Sequence, residues 1–296
     1  MFLILILLII IIIIILALIY FVISNNKDFW HCPSFLSLSI SSDITLAPAI
    51  TDEQFCLSEN NVTINPRIIM VSGSIGKREF AKISKRRLEN YCKKHGYDLF
   101  YFEDYIDKNY YVMWQKILAL KKVLSEGHHD YAMWIDDDIY ITNMDIKVEH
   151  FISSSSSLRE SNKDDIILSR DVKETANLYL NSGTMIIKNS TIGKEFLNKV
   201  LSGYMLFGGY FQENLYHEQT IMTYFYFKEY INKATVLPHR VMQSFFRGKI
   251  WQIDDFGLHF AGYSADTRER CMKLLDNKDD ICISDFYSIC NPELST

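Results

Sequence analysis

The chain has 296 residues, 48% of them hydrophobic, which is enough to bury a sizeable core in one large domain or two small ones. Its formal net charge is -5, with acids and bases well mixed after residue 66. That balance excludes nucleic acid as the main partner, because phosphate backbones are bound through clustered Lys and Arg; a diphosphate ligand stays compatible if a metal supplies the positive charge.

The first feature is FLILILLIIIIIIILALIYFVI, residues 2–23, an apolar block without a charge. It matches the roughly 20 residues that cross a bilayer as a helix. A signal peptide has a shorter apolar region, about 7–15 residues behind a basic start, so an uncleaved membrane anchor is the favoured reading. The flanks give little orientation, since only Lys27 follows as a nearby positive charge. Residues 24–65 carry Ser, Thr, Asn and Pro with little periodicity and read as a stem.

From Arg67 the pattern changes. RIIMVSG (67–73) is a buried-strand run ending at Gly73. REFAKISKRRLENYCKKHG (78–96) sets Phe80, Ile83, Leu88 and Tyr91 near one helical face and stops at Gly96 after a basic last turn. YDLFYF (97–102) is a second strand, residues 113–126 are helical, and YAMWI (131–135) is a third strand that runs into Asp136, Asp137 and Asp138. The Ser run at 153–157 reads as a loop. Strands are expected at 165–169, 184–188 and 234–238, and helices at 191–205 and 217–230. Such alternation over about 230 residues implies an α/β sheet with helices on both faces. Ligands bind beyond the carboxyl ends of strands in such sheets, where the three acids lie.

Side chains alternate along a strand, so Asp136 and Asp138 share one side and Asp137 takes the other. Two close carboxylates repel unless a cation joins them, and their oxygens suit magnesium or manganese. The plainer alternative is an acidic turn, or a helix cap from Asp145. His259, in the short apolar stretch GLHFAG, is the best third ligand. Its imidazole beside two carboxylates favours manganese over magnesium, against the alternative of a hydrogen-bonded, half-buried His. Six cysteines (32, 56, 92, 271, 282, 290) form no CxxC pair, and disulfides among them would suit a secretory lumen. The triplets Asn61-Val-Thr and Asn189-Ser-Thr permit glycosylation there.

WIDDDIY, LNSGTMIIKNS, HEQT and HFAG, in this order, resemble glycosyltransferase family 34, which contains galactosyl-, xylosyl- and mannosyltransferases. YCKKHGYDLF and the pair Trp114-x-Lys116 are similar too, so the resemblance spans roughly residues 67–262. It implies a GT-A fold, a nucleotide-binding α/β sandwich over residues 66–296 carrying a DxD motif. It also implies a nucleotide-sugar donor, a glycan or glycoprotein acceptor, and Mn2+ as cofactor with Mg2+ as the alternative. A type II anchor in the Golgi or ER membrane with a luminal catalytic domain agrees with the block at 2–23, and complexes with other glycosyltransferases are in keeping with the family.

Carried over position by position, Asp136 and Asp138 are the two acids of the motif, Asp138 on the metal and Asp136 on the metal or the donor ribose. His259 is the third protein ligand, and Asp137 touches the donor or caps a turn. Ser72 and Gly73 lie where the nucleoside docks. Lys116 contacts phosphate or holds an acid in place, unless it lies on a solvated helix face. Asn181, Ser182 and Gly183 match a turn beside the sugar, and Gly262 closes the HFAG motif at the donor. Gln219 stabilises an oxocarbenium-like transition state, and Glu218 orients the acceptor or the pair. Two departures stand out. The pair is Glu-Gln where the family has Asp-Gln. Tyr263 and Ser264 replace a Cys-Lys whose Lys meets the diphosphate, leaving Arg268 or Arg270 on the following helix as substitutes. The competing functions are a non-catalytic, membrane-anchored partner of an active transferase, and a metal-dependent phosphohydrolase, for which His128–His129 are the only paired histidines.

Overall fold

Strand β1 (Ile68–Gly73) sends Ile69 and Val71 to one face and Ile68 and Met70 to the other, all buried. A strand covered on both sides needs helices on both sides, and the computed structural model has them. It describes residues 65–157, 165–172, 179–213, 218–277 and 283–290. The expected anchor at 2–23 and all but the last residue of the stem lie outside these; among the described residues no helix is long and apolar enough to cross a membrane.

In chain order β1 is followed by α1 (Glu79–His95), β2 (Asp98–Phe102), α2 (Gln115–Ser125), β3 (Tyr131–Ile135), β4 (Ile139–Ile141) and α3 (Val148–Ser157). Then come β5 (Ile166–Arg170), β6 (Leu180–Lys188), α4 (Thr191–Glu213) and α5 (Glu218–Phe225), which runs on as a π turn, Tyr226–Tyr230. The last elements are β7 (Thr235–Leu237), β8 (Ser244–Phe245), β9 (Gly257–His259), α6 (Ala265–Asn277) and α7 (Ile283–Cys290).

The main sheet has the order β2-β1-β3-β6-β5-β7. β1 runs parallel to β2 and β3, whereas β6 is antiparallel to both β3 and β5. One face packs on α2, α4 and α5 through Leu120, Phe196 and Ile221, and the other on α1 and α3 through Tyr91 and Phe151. A second sheet, β4-β9-β8, lies over a separate cluster that includes Phe80, Phe246, Phe260 and Phe286.

Two local expectations fail. The Ser run at 153–157 ends α3 and is no loop, because Val148, Phe151 and Ile152 recur at helical spacing and are buried. β6 is longer than 184–188 and takes in Asn181–Gly183, which were expected in a turn. Of the cysteines described, Cys92, Cys271 and Cys290 are buried and free, and the Cys271 thiol meets the Cys290 carbonyl oxygen at 3.7 Å. Asn189 donates through its side-chain amide to the carbonyl of His129 at 2.9 Å.

Candidate active site

The three acids leave β3 in a turn. The Asp136 N–H donates to the Gly183 carbonyl at 2.8 Å, and the Ile139 N–H donates back to the Asp136 carbonyl at 3.1 Å. Strand alternation therefore stops at Ile135, and Asp137 does not face away: all three acids line one cavity of about 140 Å³. The cavity lies beyond the carboxyl ends of β1 and β3, with Gly73 and Ser74 on its other side.

β4 brings the distant histidine in. Ile139 pairs with His259 across the antiparallel β4–β9 ladder, and the Phe260 N–H donates to the Asp138 carbonyl at 3.0 Å. His259 Nε2 thus lies 3.2 Å from Asp138 Oδ1, with both side chains buried. One ligand atom from each of Asp136, Asp138 and His259 falls within 4.8 Å of the others. The His259 Nδ1 is buried without a hydrogen-bond partner among the described residues.

The acids are electrostatically unequal. Burial opposes ionisation of Asp138, yet His259 and Arg268 hold its carboxyl down at about 2. Burial raises Asp136, with Lys116 working against the rise and the charge of Asp138 adding to it. Burial also pushes Asp137 up to about 6; Arg78 stands 3.5 Å from its Oδ2.

Lys116 is not on a solvated face. It is 5% exposed, and its Nζ donates to Asp136 Oδ1 at 2.9 Å, Glu218 Oε1 at 3.0 Å, and both the carbonyl and the hydroxyl of Ser182 at 3.2 and 3.1 Å. Burial lowers its affinity for a proton, but Asp136 and Glu218 outweigh that and keep it charged. These bonds use up the three ammonium protons, so Lys116 holds acids in place and leaves phosphate to other groups. The Trp134 indole N–H steadies the same Asp136 oxygen at 2.6 Å.

The LNSG residues sit in a bulge. Leu168 pairs with Met185 but Ser169 with Asn181, so β6 carries extra residues here, a device that re-aims side chains beside sites. Asn181 binds Asp171 Oδ2 through Nδ2 and accepts from Gln243 Nε2 and the Gly183 N–H. The Ser182 hydroxyl donates to Glu218 Oε1 at 2.7 Å, and its N–H donates to Gln219 Oε1 at 3.1 Å. Glu218, at the start of α5, is buried, and its Oε2 has no partner among the described residues. It faces inward to Lys116, which leaves it holding the pair.

A β-carbon on Gly183 would lie 2.5 Å from Gln243 Oε1 and 2.6 Å from His259 Cε1. Gly183→Ala is therefore expected to displace the Gln243 amide and the imidazole, and to weaken any divalent-ion binding at the three-ligand cluster by about tenfold, a loss titration calorimetry on the purified variant would detect. Gly73 has a similar constraint, since a β-carbon there would meet the Phe102 ring at 2.5 Å. Ser72 is buried within β1 opposite Tyr101, behind the cavity wall. Gly262 turns the chain from β9 toward α6 with a φ of 77° and is not among the residues lining the cavity.

Of the two arginines, only Arg268 reaches the site. Its Nη2 lies 2.9 Å from Asp138 Oδ2, whereas Arg270 meets the Cys290 carbonyl at the far end of α7. Ser264 stands at the position before α6 and accepts from the Thr267 N–H at 3.2 Å, acting as a helix cap. Gln243, Asp171, Ser74 and Arg78 carry no local sequence signal and join the site only through tertiary contact.

A family model, the galactosyl transferase GMA12/MNN10 family, matches residues 64–270, which hold every residue that lines the cavity or belongs to the three-ligand cluster. Over 87 residues the chain is 32% identical to "Probable glycosyltransferase 4" of Oryza sativa subsp. indica, 27% of this chain and 18% of that protein. It is 28% identical over 88 residues to xyloglucan 6-xylosyltransferase 2 of Arabidopsis thaliana, 27% of this chain and 19% of that one. The matches thus span about a fifth of the length of these curated relatives. A glycosyltransferase involved in the glycosylation of the major capsid of PBCV-1 superposes with a TM-score of 0.54 at 17% identity, over 71% of this chain and all of the other. That likeness concerns the fold.

Proposed function

Since the chain belongs to the galactosyl transferase GMA12/MNN10 family, glycosyltransferase family 34, we propose that it is a metal-dependent GT-A glycosyltransferase. It moves a sugar from a nucleoside diphosphate sugar to a hydroxyl of a glycan, with retention of configuration as in its family. The observation that carries this reading is the cluster of Asp136, Asp138 and His259, with ligand atoms within 4.8 Å at the strand ends.

The donor set fits a divalent ion. Two carboxylates and one imidazole suit manganese, with magnesium as the weaker alternative. The charge balance agrees: four carboxylates (Asp136, Asp137, Asp138, Glu218) face three cations (Lys116, Arg78, Arg268), leaving a deficit that a dication reverses before a diphosphate arrives. A bound ion would neutralise charge on the departing diphosphate as a Lewis acid.

The chain's own groups do the rest. Asp138 and His259 would hold the ion, and Trp134 with Lys116 fixes the Asp136 carboxylate beside them. Gly73 makes room for the Phe102 ring, which with Val112 and Met113 forms an apolar wall for the nucleoside. Gln219 is pinned through Oε1 to the Ser182 N–H, and by the family's pattern it would serve the sugar side of the site, supporting positive charge at the reacting carbon. The domain works in the lumen of the Golgi or ER behind an anchor at residues 2–23.

The test uses the full-length chain purified in detergent with a panel of UDP- and GDP-sugars. Release of nucleotide is expected with Mn2+, less with Mg2+, and none after EDTA. Neither metal-dependent turnover nor metal-dependent nucleotide binding in any combination would overturn the reading.

A further inference from the structure

Asp138 offers two oxygens, and a protein cation holds the second. Oδ1 faces His259, while Oδ2 takes Nη2 of Arg268 at 2.9 Å. The Arg268 Nε donates to the Phe260 carbonyl at 3.2 Å, and its guanidinium lies 5.3 Å over the Phe80 ring. Turning the guanidinium breaks its bond to Asp138 and swings Nε away from the Phe260 carbonyl, and Arg268 already lines the cavity with Arg78 and Lys116. The other two cations are differently placed. Lys116 is locked by Asp136, Glu218 and Ser182, and Arg78 pairs with Asp137 at 3.5 Å while its guanidinium stands 6.0 Å from the Phe80 ring centre.

We propose that Arg268 is the resident counter-cation of the metal site. It competes with the divalent ion for Asp138, and when displaced it turns its guanidinium to the diphosphate of the donor. This rests on the reading of the site as a metal and nucleotide centre. A dication within about 5 Å of a guanidinium repels it even when both touch one carboxylate, so ion binding and the Arg268 contact oppose each other. The planar fork then released matches phosphate oxygens in a way an ammonium does not. The exchange also orders the site: the ion first, then the nucleotide that brings Arg268 back into a neutralised pair.

The test is a pair of binding measurements by calorimetry on the full-length chain, Mn2+ alone and then UDP or GDP at saturating Mn2+. Arg268→Gln is expected to bind Mn2+ about tenfold more tightly and nucleotide about tenfold less tightly than wild type. Arg268→Lys, which guards against misfolding of the glutamine variant, is expected to shift both affinities the same way by about threefold. A merely structural role would weaken both or neither, and either result with a wild type that binds both ligands overturns the proposal while leaving the metal site standing. A wild type that binds neither Mn2+ nor nucleotide overturns the functional reading and this proposal together.

Discussion

Replacing Asp138 with Asn is expected to lower metal-dependent kcat/KM by about a thousandfold and to weaken Mn2+ binding by at least about a hundredfold, more than the 10–100-fold typical of residues one layer out from a metal. Asn keeps the volume and one acceptor for His259 but loses the charge that two partners share, the imidazole at 3.2 Å and Arg268 at 2.9 Å. The same change has a cost in the metal-free protein with a defined pH window. The folded carboxyl is held at about 2, below the ordinary Asp value. A depressed carboxyl contributes stability that is present above its unfolded pKa near 4 and is lost as pH falls toward 2. EDTA-treated Asp138→Asn should therefore be less stable than wild type by about 2 kcal/mol at pH 7, a gap that narrows as pH falls from 5 to 3. Thermal melts across that range check it. Unaltered Mn2+ affinity and turnover would refute the assignment of Asp138 to the metal.

The core strands were readable because they are buried on both faces. RIIMVSG and YAMWI are nearly continuous apolar runs, and β1 and β3 fall on them. The acids after YAMWI stood out for the same reason, as charge at the lip of a run with no other polar residue. What they do side by side was not readable, because the alternation rule assumes a strand and the chain had already turned at Asp136. The second sheet was missed for a related reason. β4, β8 and β9 have two or three residues each, too few to show a period. His259 could be tied to the acids only through the resemblance, although the physical link is a single ladder pair with Ile139. Long-range polar partners were illegible altogether. Nothing beside Gln243 says that it will meet Asn181 at 2.9 Å, and KILALKKV does not distinguish a buried Lys116 from the exposed Lys122. The Ser run misled because serine's preference for turns was outweighed by three buried apolar residues in the helix before it.

Lys116→Met should produce the largest loss of stability of any single change around the site. Methionine fills nearly the same volume, so the effect is electrostatic. Two carboxylates, on the half-buried Asp136 and the buried Glu218, lose the ammonium that sits 2.9 and 3.0 Å from them. Removing one partner of a buried ion pair costs about 3–5 kcal/mol, and on a domain of this size that lowers Tm by roughly 10 °C. The sign of the pH response distinguishes this account from simple loss of packing. With Lys116 in place its proton is bound more tightly than in the unfolded chain, so its contribution is fully present below its unfolded pKa near 10 and stays constant from pH 5 to 8. Without it, burial acts unopposed on the Asp136 carboxyl, which is already raised, and destabilises the fold most where that carboxyl must ionise. The variant should therefore recover stability as pH falls from 8 to 5, where a packing defect would not. Adding Glu218→Gln to Lys116→Met removes one of the stranded charges, and the double variant should be more stable than Lys116→Met alone by about 1–2 kcal/mol, a coupling that denaturant melts at pH 8 would read. If the double variant is instead less stable by the full sum of the two single losses, Lys116 and Glu218 act independently and the buried hub does not exist as a unit.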